Sequence, residues 1–486
     1  MRKNRLFEGI LSVLLLSQPL YAEPLSLSLN PQPAVSLVPD IRAGDGLIEQ
    51  QNERFLGEKI YREIHQHLPL VNDIWLQDQL NQIFLKIWAQ TNAPEPIGLL
   101  LIDDPQVNAF AAPGGVFAIN TGLILLAKNS DEVASVIGHE IAHVTQKHYS
   151  RSQEAFKGQG LLALAGILVG AAIASQGDGS AGSAVMLGTQ AALMDRQLSY
   201  SRNQEREADR VGMQYMAAAG YNPASMADFF ERMQRSSSQL SFMPEFWLTH
   251  PLTTQRMSEA RLRASQLPPV KLTMDNQQYD LIRWYTGVIT HKATEAQLLT
   301  LVAQKNQAAT LALTTLYIQQ NDLQKAQQLL EGVEPVTKHT VLAVLLQTDI
   351  FLNQQKYAQA EQVVAAQQVL MPENRALSYK YAETLIRQNK AVQAQAIVKK
   401  ILQDNPRDIT GWDLMMRAEN TNSTSAVKEI NVLRYRAETQ FWSGLEEAGI
   451  KSLLQAQRLA KDNPSLLATV NARLKQMQQE RLYHLS

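Results

Sequence analysis

His139, Glu140 and His143 stand in the order H-E-x-x-H, with Ile141 and Ala142 between them. On a helix, positions i and i+4 share a face. Two imidazoles at that spacing can reach one ion, with Glu140 left free beside them. Zinc suits such a pair because it accepts imidazole nitrogen and needs no redox partner. The chain contains no cysteine, so any metal must be held by histidine and carboxylate. A hydrolytic zinc needs a third protein ligand and one open position. Residues 205–209 read Glu-Arg-Glu-Ala-Asp, which again puts Glu205 and Asp209 at i and i+4. Glu205 is the expected third ligand to one Zn2+ per chain. Asp209 is expected to accept the free ring N–H of a ligand histidine, foremost His139, fixing its tautomer. Glu207 lies about 200° round the same helix and is a weaker candidate. Glu140 has the chemistry of a general base, taking a proton from water and passing it to a leaving amine. His148 falls off the face that carries His139 and His143 and reads as a surface residue.

These side chains need elements to hold them. Asn129 is a good N-cap with Glu132 three residues on, so a helix is expected from there through Tyr149. A second helix is expected from about Gln204 to Ala219, ended by Gly220 with Pro223 beyond. Upstream, helical patterning runs from Leu47 to about Gln90. Strands are expected at Ile97–Ile102, Val107–Ala112 and Val116–Asn120, with the turn Pro113-Gly114-Gly115 before the last. Gly158 to Ala192 is Gly/Ala-rich, and residues 161–174 carry no charge. As helix that stretch spans about 21 Å, short of a roughly 30 Å hydrocarbon core. It reads as a loose helical hairpin near the site or as a buried core helix. A third use is contact with a membrane surface or a partner.

Beyond about residue 270 the texture turns to Ala, Gln and Leu, and a period of 34 appears. Leu323, Tyr357 and Ala391 follow it, as do Ala326, Ala360 and Ala394, and Pro372 with Pro406. That period marks tetratricopeptide repeats, helical hairpins that bury their apolar faces only by stacking. Leu445 and Ala448 keep the same three-residue offset and suggest a further, divergent unit. At the other end, Arg2, Lys3 and Arg5 precede the apolar Ile10–Leu16, and Leu20-Tyr21-Ala22 offers a cleavage site. The reading is a cleavable signal peptide at 1–22, a metallopeptidase domain at 23–270 and a repeat domain at 271–486. Lys and Arg number 45 against 46 Asp and Glu, which gives no reason to expect nucleic acid as a partner.

Three motifs together carry a resemblance: His139-Glu140-x-x-His143, Asn108-Ala109-Phe110-Ala111-x-Pro113-Gly114-Gly115, and Glu205-x-x-Ala208-Asp209. They resemble the HtpX and CAAX-prenyl-protease group of zinc metallopeptidases. With the export signal and the repeats, the chain is similar to the periplasmic β-barrel assembly-enhancing proteases of Gram-negative bacteria. The resemblance implies a mainly α fold, an HExxH peptidase domain with a small β-sheet, followed by a tetratricopeptide superhelix. It implies a periplasmic zinc metalloendopeptidase with a chaperone-like role in outer-membrane β-barrel assembly, degrading stalled or misfolded barrels. Its partners would be unfolded or stalled outer-membrane proteins and, through the repeats, the barrel-assembly machinery. The strand from Asn108 to Ala112 would be an active-site edge strand for an extended substrate. The loop Thr249-His250-Pro251, with Arg256, would lie near the metal. His250 there would either stabilise the oxyanion or, as the favoured reading, fill the fourth zinc position and hold the enzyme latent. The competing function is a repeat-based chaperone or scaffold in which zinc is only structural.

Overall fold

The computed structural model describes residues 47–149, 202–239, 246, 250–267 and 276–482. The expected signal peptide, the stretch that follows it to residue 46 and the Gly/Ala-rich segment 158–192 lie outside the described residues, as does the texture change at 268–275.

Two helices open the described chain, α1 (Leu47–His67) and α2 (Ile74–Trp88). Three short strands follow: β1 (Gly98–Ile102), β2 (Ala109–Ala112) and β3 (Val116–Asn120). The sheet order is β1-β3-β2, with β1 parallel and β2 antiparallel to β3. Strand side chains alternate between faces. Leu100, Ile102, Val116 and Ala118 therefore pack with Leu56, Ile60 and Ile64 of α1. Leu99, Leu101, Phe117 and Ile119 face the opposite core with α2. The β2–β3 turn is made by Gly114 and Gly115 at φ 82° and 80°. A Cβ on Gly114 would stand 2.3 Å from the Glu53 carbonyl oxygen, so only glycine fits between the hairpin and α1.

The short α3 (Thr121–Leu126) leads into α4 (Ser130–Thr145). The N-cap is as the sequence indicates, with Asn129 accepting from the Glu132 N–H at 2.9 Å. The helix stops earlier than expected, however, at Thr145 rather than Tyr149. Lys147 takes a left-handed φ of 50° and turns the chain. Across the undescribed segment, α5 (Arg202–Ala218) lies against α4, followed by α6 (Ala224–Gln239) and α7 (Thr254–Gln266).

The remainder is helical. α8 (Asn276–Ile289) and α9 (Glu295–Ala303) precede the hairpins α10 (Gln307–Gln319) with α11 (Leu323–Glu331), α13 (Val341–Asn353) with α14 (Tyr357–Leu370), and α15 (Arg375–Arg387) with α16 (Ala391–Asp404). The four-residue α12 (Pro335–Lys338) sits between the first two hairpins. The repeat seen in sequence is physical. Leu323, Tyr357 and Ala391 each begin a second helix, and Ala326, Ala360 and Ala394 are wholly buried at the crossings. Asn321, Gln355 and Asn389 take φ near 60°, and the next residue donates back to Tyr317, Phe351 and Leu385 respectively. That bond closes the first helix of each hairpin. After α17 (Ile409–Thr421), the divergent unit α18 (Lys428–Trp442) with α19 (Glu446–Leu459) is closed the same way at Gly444. α20 (Pro464–Leu482) ends the described chain.

The repeats pack against the peptidase portion. One apolar core runs from Trp75 through α4 and α5 to Leu377. Ion pairs cross the seam: Arg375 to Asp78 at 3.0 Å, Arg407 to Glu58 at 3.2 Å, and the buried Arg62 to Glu446 at 2.7 Å. No helix among the described residues is long and apolar enough to cross a membrane.

Candidate metal centre

Helix α4 is buried almost all round, so both its ends need polar anchors. Glu132 does not complete the capping box at Asn129. It reaches one residue further back, accepting the Lys128 N–H at 2.9 Å, and pairs with Arg232 at 2.7 Å. Asp131 accepts the Asn222 N–H at 3.2 Å. Both carboxylates stand at the positive end of the helix. In mid-helix, α4 crosses α5 backbone against backbone. A Cβ on Gly212 would meet the Gly138 carbonyl carbon and oxygen at 2.8 Å and the His139 nitrogen at 2.9 Å. This glycine contact sets two helix faces at a fixed, short separation: His139 and His143 on one, Glu205 and Asp209 on the other.

The donors converge. His139 Nε2 and His143 Nε2 lie 3.0 Å apart. The Glu205 carboxylate is 3.5 Å from the first and 3.4 Å from the second. His250 joins them, and one donor atom from each of the four residues fits within 4.8 Å of the others. All four are about 2% exposed. His139 Nδ1–H donates to Asp209 Oδ1 at 2.9 Å. Asp209 is gripped in turn by Arg256, through Nε at 2.8 Å and Nη2 at 2.7 Å. Arg256 Nη1 also stands 2.8 Å from Glu205, and its guanidinium lies over the Phe230 ring at 5.0 Å.

His148 corrects the sequence reading. Instead of a surface residue, it is fully buried. The turn at Lys147 brings its Nδ1 to 3.0 Å from His143 Nδ1, and its Nε2 lies 3.0 Å from Glu207. Both histidines of the HExxH motif therefore have their Nδ1 engaged outside and their Nε2 facing inward. Two inward lone pairs 3.0 Å apart beside a buried carboxylate form a donor set suited to a divalent cation.

The groups of the site also act on one another's protonation. Burial works against protonating His139, but Asp209 and Glu205 outweigh it and lift its pKa to about 9. Burial together with the neighbouring His139 charge drives His143 well down. Burial would raise the Glu205 carboxyl, yet His250 and His139 hold it well below the usual range. Asp209 is likewise held down against burial, by Arg256 and His139. Glu140 differs. Burial pushes its carboxyl up, and His250 and His139 only partly offset this. Its Oε1 has no hydrogen-bond partner, and His250 Nε2 lies 3.4 Å away. A buried, under-solvated carboxyl beside a candidate metal position has the properties of a general base.

His250 is placed by its own backbone N–H, which donates to Phe246 O at 2.8 Å, and by Phe246 stacking on its ring at 4.7 Å. Its Nδ1 lies 3.0 Å from Glu205 and 3.2 Å from His139. It thus stands between the donors and Glu140; Thr249 lies outside the described residues. β2 is an edge strand of the sheet packed against α4, and the Ala111 backbone hydrogen-bonds the Glu140 carboxyl.

The structure gathers the five residues picked out by helical spacing, His139, Glu140, His143, Glu205 and Asp209, together with His250, which only the family resemblance pointed to. Sequence spacing missed His148 because a helix was extended across Lys147, and it rated Glu207 only as a weaker candidate because that residue lies about 200° round the helix from Glu205. A third histidine five residues past His143 was the available signal.

The peptidase family M48 matches residues 75–264, and a tetratricopeptide repeat family matches residues 351–417. The chain is 32% identical over 470 residues to a protein of Vibrio cholerae named putative beta-barrel assembly-enhancing protease, covering 92% of this chain and 94% of that one. It is 29% identical to the beta-barrel assembly-enhancing protease of Yersinia pestis, over 95% of this chain and 96% of the relative. A mitochondrial metalloendopeptidase, OMA1 of Arabidopsis thaliana, is 29% identical over 189 residues, 38% of this chain and 36% of that one.

Proposed function

This chain belongs to peptidase family M48, sharing its length with the beta-barrel assembly-enhancing proteases, and on that footing we propose that it is a periplasmic zinc endopeptidase of outer-membrane quality control. The observation that carries this reading is the buried convergence of His139, His143 and Glu205 with Glu140 beside them.

His139, His143 and Glu205 would hold one zinc ion. Bound there, zinc would polarise the scissile carbonyl and make water a competent nucleophile near neutral pH. Every other part belongs to the chain. Glu140 accepts the proton of the attacking water and delivers it to the leaving amine. Asp209, locked by Arg256, keeps His139 in the tautomer that presents Nε2 inward. An extended substrate pairs with the edge of β2, whose alternate backbone groups bind any sequence and suit unfolded clients. His250, the fourth of the converging side chains, would close the site in the resting state and keep the enzyme latent. Its 3.0 Å approach to Glu205 favours this role over that of an oxyanion donor.

The relatives' names support a place in barrel assembly, in which the peptidase removes stalled or misfolded outer-membrane proteins and the repeats engage clients and the assembly machinery. A chaperone-like contribution through the repeats accompanies proteolysis. The domain division is a signal peptide at 1–22, a peptidase at 23–270 and repeats at 271–486.

The test is digestion of unfolded casein together with zinc analysis. Glu140→Gln should abolish cleavage and retain zinc. If it cleaves at the wild-type rate, the general-base assignment fails. If it loses cleavage while barrel maturation stays fully normal, the repeat-based scaffold becomes the function. His250→Ala should raise casein cleavage; a fall would assign His250 to the oxyanion instead.

A further inference from the structure

His148 and Glu207 take no part in the chemistry described above, yet they are built into its wall. His148 is fully buried, and Gln204 Nε2 donates to its carbonyl oxygen at 3.1 Å, tying the turn after α4 to α5. Its ring stands edge-on to that of His143, with centroids 4.9 Å apart. The contacts have a direction. Presenting His143 Nε2 inward requires the ring proton on Nδ1, and the described atom facing that proton is His148 Nδ1 at 3.0 Å. His148 must then accept at Nδ1 and carry its own proton on Nε2. Glu207 Oε2 accepts that proton at 3.0 Å, from a side chain 29% exposed on the outer flank of α5.

We infer that His148 and Glu207 form a positioning dyad for His143, doing for the second histidine what Asp209 and Arg256 do for His139. The donor direction runs from His143 to His148 to Glu207, and it fixes the tautomer and ring angle of His143. Outer partners of this kind are worth about 10–100-fold in metal affinity. The two supports differ in kind. The His139 side ends in a buried carboxylate neutralised by arginine, whereas the His143 side passes through a neutral imidazole to a carboxylate near water. The two helices are thereby tied twice, and the α5 stretch Glu205-Arg206-Glu207-Ala208-Asp209 supplies one proposed ligand and both terminal acceptors.

The inference rests on the zinc reading of His143, and the experiment separates the two. Zinc affinity is measured on full-length protein by competition with a chromophoric chelator, and the melting temperature of the metal-free form is recorded for each variant. His143→Ala should lose the site; if it binds zinc as the wild type does, the zinc reading itself fails. His148→Phe keeps the ring volume without an acceptor and should weaken zinc binding about 10–100-fold. His148→Asn puts an amide oxygen where Nδ1 stood, keeping an acceptor for His143, and should bind zinc at least about threefold more tightly than His148→Phe. Glu207→Ala, at a partly exposed position, should weaken binding about three- to tenfold with an unchanged metal-free melting temperature. Should His148→Phe fail to fold, Glu207→Ala decides. The inference is overturned if His143→Ala loses zinc while His148→Phe or Glu207→Ala binds as the wild type does. It is equally overturned if His148→Asn and His148→Phe lose the same amount, which would reduce His148 to packing.

Discussion

Substituting Gly212 by alanine should dismantle the metal site without touching any of its side chains. The added Cβ would lie 2.8 Å from the Gly138 carbonyl carbon and oxygen and 2.9 Å from the His139 nitrogen. Ordinary carbon contacts sit at about 3.5 Å, so the helices must part by about 0.7 Å. The obstructing atoms are backbone, so no rotamer change can absorb the displacement. Metal sites tolerate about 0.2 Å in ligand distance. The pair on α4 and the carboxylate on α5 would therefore no longer close on one ion. Overpacking costs about 1–3 kcal/mol, and the helix gains back about 0.5–1 kcal/mol on losing a glycine. Stability thus falls by at most about 2.5 kcal/mol, and the protein stays folded. Zinc affinity should fall at least about tenfold, and casein cleavage by about 100-fold. Gly138→Ala should be milder, because its nearest contact is the Gly212 oxygen at 3.0 Å and the next is at an ordinary 3.6 Å. Chelator competition on both variants checks the order. Wild-type zinc affinity in Gly212→Ala would refute the claim that this crossing sets the site.

Three further outcomes are expected. Arg256→Met leaves the buried Asp209 with His139 as its remaining partner and removes its guanidinium clamp. It should cost about 3–5 kcal/mol in denaturant unfolding of the metal-free protein, and a loss under about 1 kcal/mol would show that the clamp is not structural. His65 is held by burial at a pKa of about 4, below its ordinary 6.5, so it folds neutral. The unfolded chain then binds more protons, and stability is lost as pH falls from about 6.5 towards 4. His65→Leu should flatten the slope there by about 1.4 kcal/mol per pH unit, read from urea midpoints at several pH values. Ala360→Leu at the wholly buried hairpin crossing should destabilise the repeats by about 1–3 kcal/mol, while casein cleavage below the transition changes little.

The site was legible because helical spacing is a strong geometric constraint. His139 with His143, and Glu205 with Asp209, are each fixed on one face by four-residue steps, whatever the tertiary packing. The 34-residue period was legible for the same reason, since each unit repeats one buried alanine and one left-handed helix end. His148 was not legible. Its place depends on a single backbone reversal at Lys147, a residue type with no preference for positive φ. The Gly138–Gly212 contact was also hidden, because each glycine looks like a modest helix penalty until the two helices are seen to cross. The continuous core from Trp75 to Leu377 joins regions that differ in composition, and texture alone suggested a boundary there.

The central claim is that one zinc ion is held by His139, His143 and Glu205 while Glu140 stays free. Anomalous diffraction at the zinc edge from crystals of the purified protein tests it most directly. The account predicts a single strong peak per chain about 2.0–2.2 Å from both Nε2 atoms and a Glu205 oxygen, with Glu140 outside bonding distance. A chain with no peak there, or a peak ligated by Glu140 in place of Glu205, would contradict it.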